Sequence, residues 1–192
     1  KVGVCMATSG PGATNLVTGI ATAMMDSIPL VALTANVGVN ALGKDAFQEI
    51  DIKGVTIPIT KHNFICKSPE ELAPTIRKAF QIAKEGRPGP VLVDMTKNAT
   101  VGSCEYTKKV PDVIGSRNYT FPTSSIKKAV EMIEASEKPF VFVGGGCIAS
   151  QTSAPLKEFV EKIDAPVTDT LMGKGAYDGT NPRYAGMLGM HG

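Results

Sequence analysis

A glycine-rich turn near the start of the sequence is the first place where residue types and spacing could bind a ligand. Residues 9–12 read Ser-Gly-Pro-Gly and separate an apolar stretch, residues 2–8, from residues 16–24, whose apolar side chains recur at helical spacing. Such a junction points unpaired backbone N–H groups out of the carboxyl end of a strand, where open α/β sheets bind ligands. A tight connection without a ligand is the alternative, and these residues alone leave both open.

A second glycine-rich segment has the spacing of a dinucleotide-binding turn. Residues 144–149, Gly-Gly-Gly-Cys-Ile-Ala, fit G-x-G-x-x-A between a predicted strand at 139–143 and a predicted helix at 155–163. Small residues in this setting let the backbone approach a pyrophosphate. The next predicted strand, 165–170, also runs into a glycine-rich turn, and residues 187–192 resemble a third one. Two adjacent strands that end in such turns form a crevice.

Three side chains outside the turns could also reach a ligand. Phe47 and Gln48 come after a predicted strand, residues 29–35, although a core phenylalanine beside a solvated glutamine is the simpler interpretation. Arg87 lies between a predicted helix end and a strand start. It could neutralise the carbonyl end of the preceding helix or contact a phosphate.

The apolar pattern of the first half predicts a parallel α/β unit that positions these residues. Residues 2–8 and 29–35 are predicted strands, the first buried on both faces, and the helix between them makes a right-handed βαβ unit. Asp45 is predicted to cap a short amphipathic segment, residues 46–50.

A capping box predicts the long helix of this half. Residues 68–71, Ser-Pro-Glu-Glu, begin the helix and Gly86 ends it. Its predicted buried stripe consists of Leu72, Ile76, Phe80 and Ala83. A buried strand is predicted at 91–95.

Regular periodicity stops after this strand and resumes in a second α/β unit. Residues 97–121 lack sustained periodicity and are rich in Gly, Ser, Lys, Asn and Pro, which is typical of a linker. A helix is predicted at 123–136, with its apolar face formed by Ile126, Val130 and Ile133. The predicted fold class is α/β, with two incomplete parallel-sheet domains at 1–97 and 123–192 and a linker at 98–122.

Composition favours small-molecule chemistry in a globular protein. The 192 residues are 43% hydrophobic, and the formal charge of +2 comes from interleaved basic and acidic residues. No electrostatic case exists for nucleic acid or a membrane surface, and no apolar run is long enough to span a membrane. Four widely spaced cysteines and two histidines match neither a disulfide framework nor a metal motif, which favours a cytoplasmic location. Because Lys1 leads directly into a predicted strand, we expect a segment of a longer chain rather than a signal peptide.

Four stretches, taken in order, resemble one enzyme family across essentially the whole sequence. They are Thr-Ser-Gly-Pro-Gly-Ala-Thr-Asn at 8–15, Asp-Ala-Phe-Gln-Glu at 45–49, Gly-Arg-Pro-Gly-Pro-Val-Leu-Val-Asp at 86–94 and Met-Leu-Gly-Met-His-Gly at 187–192. The sequence closely resembles catalytic subunits of the acetohydroxyacid synthase (acetolactate synthase) family, within the thiamine-diphosphate enzyme superfamily. The resemblance covers roughly the middle third of such a subunit. It runs from the later part of a pyrimidine-binding domain, through the linker, into the first half of a Rossmann-like central domain that binds FAD.

The resemblance implies roles for individual residues. Pro11 and Asn15 match positions that line the thiamine pyrimidine pocket, and Phe47, Gln48 and Lys97 match positions that border the substrate channel. In that interpretation Lys97 is a cation placed for an acid substrate and Gln48 donates a hydrogen bond to it. The positions that match FAD-holding residues are Arg87, Gly144, Gly145, Gly146, Thr170, Leu171, Met172, Leu188, Gly189, Met190 and His191.

The resemblance also implies a reaction, its cofactors and its partners. Thiamine diphosphate attacks pyruvate, CO2 leaves, and the remaining two-carbon unit joins a second pyruvate or 2-oxobutyrate, as in branched-chain amino-acid biosynthesis. FAD performs no net redox chemistry. The cofactor-activating glutamate and the segment that holds Mg2+ and the diphosphate are expected outside residues 1–192, so the segment alone should be inactive. A homodimer or tetramer, possibly with a small regulatory subunit, is the expected assembly, with small 2-oxo acids as substrates.

Departures from the family pattern cluster at the rim of the channel. Residues 35–38 read Ala-Asn-Val-Gly where the family usually has Gly-Gln-Val-Pro, and residues 95–98 read Met-Thr-Lys-Asn for Ile-Pro-Lys-Asp. Lys44 replaces a common threonine. These changes leave the preferred second substrate open.

Three other functions are compatible with parts of the sequence. Another thiamine-diphosphate enzyme, of the glyoxylate carboligase, pyruvate oxidase or pyruvate decarboxylase type, shares the reaction class. A nicotinamide-dependent dehydrogenase would use residues 144–149, with Asp169 near the place of a ribose-binding acid. A non-catalytic binding or assembly module is the third alternative.

Overall fold

The structure is a computed structural model that describes residues 1–109, 120–190 and 192. Within it the chain divides into two compact units, Lys1–Ser116 and Arg117–Gly192. The predicted linker lies partly outside the described residues, and His191 lies outside them entirely. The domain bounds given above therefore stay a prediction.

The first unit is a four-stranded parallel sheet covered by helices on both faces. Its elements are β1 (Gly3–Ala7), α1 (Pro11–Asn15), α2 (Val17–Met25), β2 (Leu30–Asn36), α3 (Ile52–Thr56), β3 (His62–Cys66), α4 (Pro69–Lys84), β4 (Pro90–Thr96) and α5 (Lys97–Val101). The strand order is β1-β2-β4-β3. β1 and β2 pair in parallel, as the predicted βαβ unit requires.

Alternating side chains of the two central strands divide the core of this unit into two layers. Val31 and Val93 pack with Ala79 of α4 on one face. Ala32 and Leu92 pack with Ile20 of α2 on the other. Because both faces are covered, β2 and β4 form continuous apolar runs, and every residue of β4 is buried.

The prediction that residues 2–8 are buried on both faces is wrong. β1 is the edge strand of the described sheet, and the side chains of Val4 and Met6 are 53% and 69% exposed. An apolar, β-branched run indicates a strand, but it does not reveal whether another strand or helix covers it.

The prediction that Asp45 caps a helical segment at 46–50 is also wrong. No helix forms there, and Asp45 itself adopts a left-handed backbone with φ of +54°. The Glu49 carboxylate instead accepts hydrogen bonds from the backbone N–H groups of Gly43, Lys44 and Ala46. These bonds, led by the one from Ala46, hold the pKa of Glu49 below its ordinary value. The first helix after the loop is α3, whose cap Asp51 accepts from the Gly54 N–H at 2.9 Å.

The long helix α4 is confirmed, but its N-terminal hydrogen bonds differ from the predicted capping box. Ser68 occupies the cap position without a side-chain hydrogen bond to the backbone N–H groups of the helix, and Glu71 accepts from the Lys67 N–H at 2.7 Å. Gly86, with φ of +60°, follows the helix end as predicted. Residues 97–101, predicted as irregular, form the short helix α5.

The second unit contains a three-stranded parallel sheet in the order β5-β6-β7. Its elements are α6 (Thr123–Glu134), β5 (Val141–Val143), α7 (Gly145–Ala149), α8 (Ser153–Ile163), β6 (Val167–Asp169) and β7 (Tyr184–Met187). Its core is built from Val143, Val160, Val167, Ala176 and Tyr177. The predicted helix at 123–136 is present as α6, although Ile126 and Val130 of its apolar face are exposed.

Candidate functional site

The carboxyl edge of the first sheet collects the residues predicted to contact thiamine and substrate. Pro11 begins α1 just after β1, and Lys97 begins α5 directly after β4. Both strands run parallel to β2, so their carboxyl ends share one edge. Pro11, Asn15 and Lys97 are all exposed there.

Gly10 brings the segment that contains Gln48 to this edge. Its backbone has φ of +59° and ψ of −117°, a conformation open only to glycine. A Cβ at this position would lie 2.8 Å from the Gln48 carbonyl oxygen, so the two backbones are in direct contact. Gln48 also has a positive φ, of +59°, and its neighbour Phe47 is 89% exposed. The prediction of Phe47 as a core residue therefore fails, and its side chain is free to face a ligand.

Lys97 is tied to the loop that follows β2. Its backbone N–H donates to the Val37 carbonyl oxygen at 3.4 Å, and the side chain of the next residue, Asn98, accepts from the Val39 N–H at 2.9 Å. The Lys97 side chain remains exposed. The bond to Val37 places residues 35–38, where the sequence departs from the family pattern, beside Lys97, the predicted cation for an acid substrate.

Arg87 lies at the opposite edge, just before β4 begins. Its Nε donates to Ser27 Oγ at 2.7 Å, and its guanidinium also donates to the Met25 carbonyl oxygen at 3.1 Å. Arg87 thus neutralises a helix carbonyl end, but that of α2 rather than that of the preceding helix α4. Its FAD contact stays a prediction.

Asp94 is a buried acid for which no role was predicted from the sequence. It is 1% exposed, and its carboxylate accepts from Thr34 Oγ1 at 2.7 Å and from Asn36 Nδ2 at 2.6 Å. Asn36 in turn accepts from the Val37 N–H at 2.7 Å. Asp94 therefore anchors the loop that contacts Lys97. Its one signal in the sequence was a charged residue inside an otherwise apolar strand.

Replacing Asp94 with asparagine should destabilise the first unit. The new amide has one oxygen and can accept from only one of its two partners, so either Asn36 or Thr34 is left with an unpaired buried donor, at a cost of about 1–3 kcal/mol. Asp45→Asn is the matched control, because that residue is exposed and asparagine tolerates its left-handed backbone. Chemical denaturation of both variants measures the difference, and equal stabilities would show that the Asp94 network contributes nothing.

The wild type and Asp94→Asn should also differ in how their stability depends on pH. Burial raises the pKa of Asp94, while the bonds from Asn36 and Thr34 act in the opposite direction. A raised folded pKa means that the stabilising contribution is full below the unfolded pKa and is lost as the pH rises through the folded pKa. The advantage of the wild type over Asp94→Asn should therefore shrink as the pH rises above about 4, the ordinary pKa of an aspartate.

The second unit brings its glycine-rich turns together at the carboxyl edge of its own sheet. The Thr170 N–H donates to the Val143 carbonyl oxygen at 2.9 Å, which joins the ends of β6 and β5. Thr170 Oγ1 accepts from the Gly173 N–H at 3.0 Å and closes a 3₁₀ turn, Leu171–Gly173. A Cβ on Gly145 would lie 3.1 Å from Met172, so the two turns are in contact. The ends of β5 and β6 are therefore adjacent, as predicted, and the binding of a ligand between them stays a prediction.

The segment at 188–190, which contains three more predicted FAD positions, lies at the same edge, whereas His191 is outside the described residues. The Leu188 N–H donates to the Asp169 carbonyl oxygen at 2.9 Å, which brings the segment after β7 beside the end of β6. Gly189 has φ of +125°, and Met190 is 91% exposed. Added Cβ atoms on Gly144 and Gly146 would meet nothing within 4 Å, so their backbone is open to a close approach. These features fit a dinucleotide laid across the strand ends.

Comparison with known proteins assigns the family. The family described as "Thiamine pyrophosphate enzyme, N-terminal TPP binding domain" matches residues 1–55, and "Thiamine pyrophosphate enzyme, central domain" matches residues 126–192. The chain belongs to the thiamine pyrophosphate enzymes. Both matches fall on the two parallel-sheet units described above, which confirms the predicted α/β fold class.

Relatives within the thiamine pyrophosphate enzymes narrow the resemblance. The whole chain is 46% identical to an acetolactate synthase large subunit from Haemophilus influenzae and 48% identical to an acetolactate synthase from Arthrospira platensis, and it spans 34% of each. It is also 47% identical to an acetolactate synthase from Mycobacterium bovis. The predicted family resemblance is confirmed, and a nicotinamide-dependent dehydrogenase is not favoured. The chain spans about a third of the length of these relatives.

No helix within the described ranges is long and apolar enough to cross a membrane.

Proposed function

We propose that the protein containing this chain is an acetolactate synthase. It condenses two pyruvates, or pyruvate and 2-oxobutyrate, to acetolactate or acetohydroxybutyrate in branched-chain amino-acid biosynthesis. The observation that carries the proposal is the identity of 46–48% with relatives of that name over the whole chain. Thiamine diphosphate, Mg2+ and FAD are its proposed cofactors. A cytoplasmic homodimer or tetramer, with or without a small regulatory subunit, is its proposed form.

The reaction balances without an external oxidant. One pyruvate loses its carboxylate as CO2, and its carbonyl carbon forms a bond to the carbonyl carbon of the second 2-oxo acid, whose oxygen takes up a proton. Thiamine diphosphate supplies the electron sink that makes this decarboxylation possible. FAD would then be a bound structural group, and the residues that would hold it are Arg87, the glycines at 144–146, Thr170–Met172 and Leu188–His191.

The residues of this chain would bind and orient the substrates. Pro11 and Asn15 would line the pyrimidine pocket at the carboxyl edge of the first sheet. Phe47 would exclude water from the channel, Gln48 would donate a hydrogen bond to the substrate, and Lys97 would pair with its carboxylate. The contact between Gly10 and residue 48, together with the bond from Lys97 to Val37, supports this grouping.

Product analysis of the full-length protein tests the proposal. With pyruvate, thiamine diphosphate, Mg2+ and FAD, we expect acetolactate and CO2 in equal amounts. Acetaldehyde, or acetate formed with consumption of an oxidant, would assign a decarboxylase or oxidase instead. Tartronate semialdehyde formed from glyoxylate would assign a glyoxylate carboligase. The 192-residue chain alone should form no acetolactate, because the activating glutamate and the Mg2+-binding segment are expected elsewhere.

Replacing Lys97 with methionine should weaken substrate binding without destabilising the protein. The side chain is exposed, so its loss removes a charge-assisted hydrogen bond to the substrate carboxylate but little packing. Such bonds contribute about 1.5–3 kcal/mol, which corresponds to a rise in KM for pyruvate of at least about tenfold. Lys84→Met is the matched control, because that exposed lysine lies at the end of α4, near the opposite edge of the sheet. An equal KM for the two variants would remove Lys97 from the site.

A further inference from the structure

Asp169, the last residue of β6, carries a buried oxygen that no described residue satisfies. The residue is 1% exposed, and its Oδ1 accepts from the Tyr184 hydroxyl at 2.9 Å. Its Oδ2 has no hydrogen-bond partner among the described residues. The buried Tyr177 hydroxyl also has no hydrogen-bond partner among the described residues. A hydroxyl can be satisfied by either a donor or an acceptor. An ionised carboxylate only accepts, so Oδ2 requires a donor.

The position of Asp169 places this acceptor between the three turns proposed to hold FAD. Asp169 is paired with Val143 of β5 and Met187 of β7, so it occupies the middle of the sheet. Thr170 follows Asp169 directly, and the Asp169 carbonyl oxygen accepts from the Leu188 N–H. The backbone of Gly144, immediately after Val143, is open to a close approach.

The chemistry of the carboxylate selects one part of a dinucleotide. A phosphate would be repelled by the like charge of the carboxylate and offers no donor. The neighbouring cation, Lys174, interacts with the Tyr184 hydroxyl. A sugar hydroxyl donates a hydrogen bond and carries no charge. Tyr184 fixes the orientation of the carboxylate, and burial, followed by the bond to Asp169, raises the pKa of Tyr184, which keeps its hydroxyl a donor.

We propose that Asp169 Oδ2 binds a sugar hydroxyl, of the ribityl chain or of the adenosine ribose, in the flavin dinucleotide. This inference rests on the proposed binding of FAD and deepens it by assigning a ligand group to one residue. Tyr184 acts as a positioning residue that holds the carboxylate with Oδ2 available.

Asp169→Asn in the full-length protein should weaken FAD binding without a matching loss of stability. The variant replaces the unpaired oxygen with an amide, so it should weaken FAD binding about tenfold through loss of a charge-assisted bond. It should leave the melting temperature of the flavin-free protein close to that of wild type, because it exchanges one unpaired buried polar group for another. Asp164→Asn is the matched control. It makes the same charge change in the same unit, at an exposed carboxylate that pairs with Arg183 before β6 begins, and it should leave FAD affinity unchanged.

Ligand fragments identify which hydroxyl is bound. Dissociation constants for FAD, FMN and ADP are measured by flavin fluorescence and calorimetry on wild type, Asp169→Asn and Tyr184→Phe. Weaker FMN binding in Asp169→Asn assigns the ribityl chain, whereas weaker ADP binding assigns the ribose. Tyr184→Phe, which leaves both carboxylate oxygens unpaired, should lower both the melting temperature and FAD affinity, and it remains informative if Asp169→Asn does not fold.

The failure of this inference can be told apart from failure of the proposed function. A wild-type protein without FAD affinity would overturn both the flavin proposal and this one. A wild type that binds FAD while Asp169→Asn binds it equally well overturns the assignment of Asp169 alone. A parallel fall of FAD affinity and flavin-free melting temperature in Asp169→Asn would show a structural role and overturn it too.

Discussion

Gly10→Ala should lower kcat/KM for acetolactate formation by at least about 100-fold and reduce the melting temperature. An alanine at φ of +59° and ψ of −117° is strained by about 1–3 kcal/mol before any contact is considered. Its Cβ would also meet the Gln48 carbonyl oxygen at 2.8 Å and the Gln48 Cα at 3.0 Å. Because these are backbone atoms, rotation of a side chain cannot relieve the clash. The segment that carries Phe47 and Gln48 must move away from the start of α1.

Gly19→Ala is the control for this variant. Gly19 lies within α2, and an added Cβ there meets nothing within 4 Å. Alanine in a helix is favoured over glycine by about 0.5–1 kcal/mol, so this variant should be at least as stable as wild type and fully active. If Gly10→Ala matched Gly19→Ala in steady-state kinetics, the contact between Gly10 and residue 48 would have no part in the site.

The sequence predicted elements whose evidence is local and missed contacts that depend on strand register. The apolar runs of β2 and β4 and the stripe of α4 are visible in short windows, so their type was predicted correctly. The partners of Asp94 are Thr34 and Asn36, about sixty positions away in the chain. They meet only because Thr34 is aligned with Asp94 between parallel strands. No local pattern contains that alignment.

The loop at 43–50 shows why local capping rules failed at the candidate site. An acid followed by apolar residues suggests a helix start, and Asp45 satisfies that pattern. Glu49 instead folds back on three backbone N–H groups and stabilises an irregular loop. Because the Glu49 side chain takes these backbone donors, no helix forms, and the irregular loop lays Gln48 against Gly10. The residue types needed at the site were therefore predictable, but their approach to one another was not.

Gly173→Ala should strongly weaken FAD binding and destabilise the second unit. An added Cβ would lie 2.5 Å from the Val143 carbonyl oxygen and 3.1 Å from the Gly144 carbonyl carbon. That Val143 oxygen also accepts the Thr170 N–H at 2.9 Å, so the methyl group would push apart the bond that joins the two strand ends. Residues proposed to hold FAD lie on both sides of this contact, and separating them should weaken FAD binding by at least about 100-fold, since such misplacement is costly in a preorganised site. Flavin retained after gel filtration and the melting temperature measure the two effects.

The size of this effect distinguishes close packing from the general cost of an added methyl group. Gly179→Ala is the control, because a Cβ there would make only an ordinary contact of 3.6 Å with the Tyr184 ring. It should retain flavin like wild type. Equal flavin retention by Gly173→Ala would mean that the two glycine-rich turns need not touch to bind FAD, and the crevice between β5 and β6 would lose its role. If Gly173→Ala instead loses flavin while its flavin-free form melts only a few degrees lower, the contact between the turns matters chiefly for the geometry of the binding site.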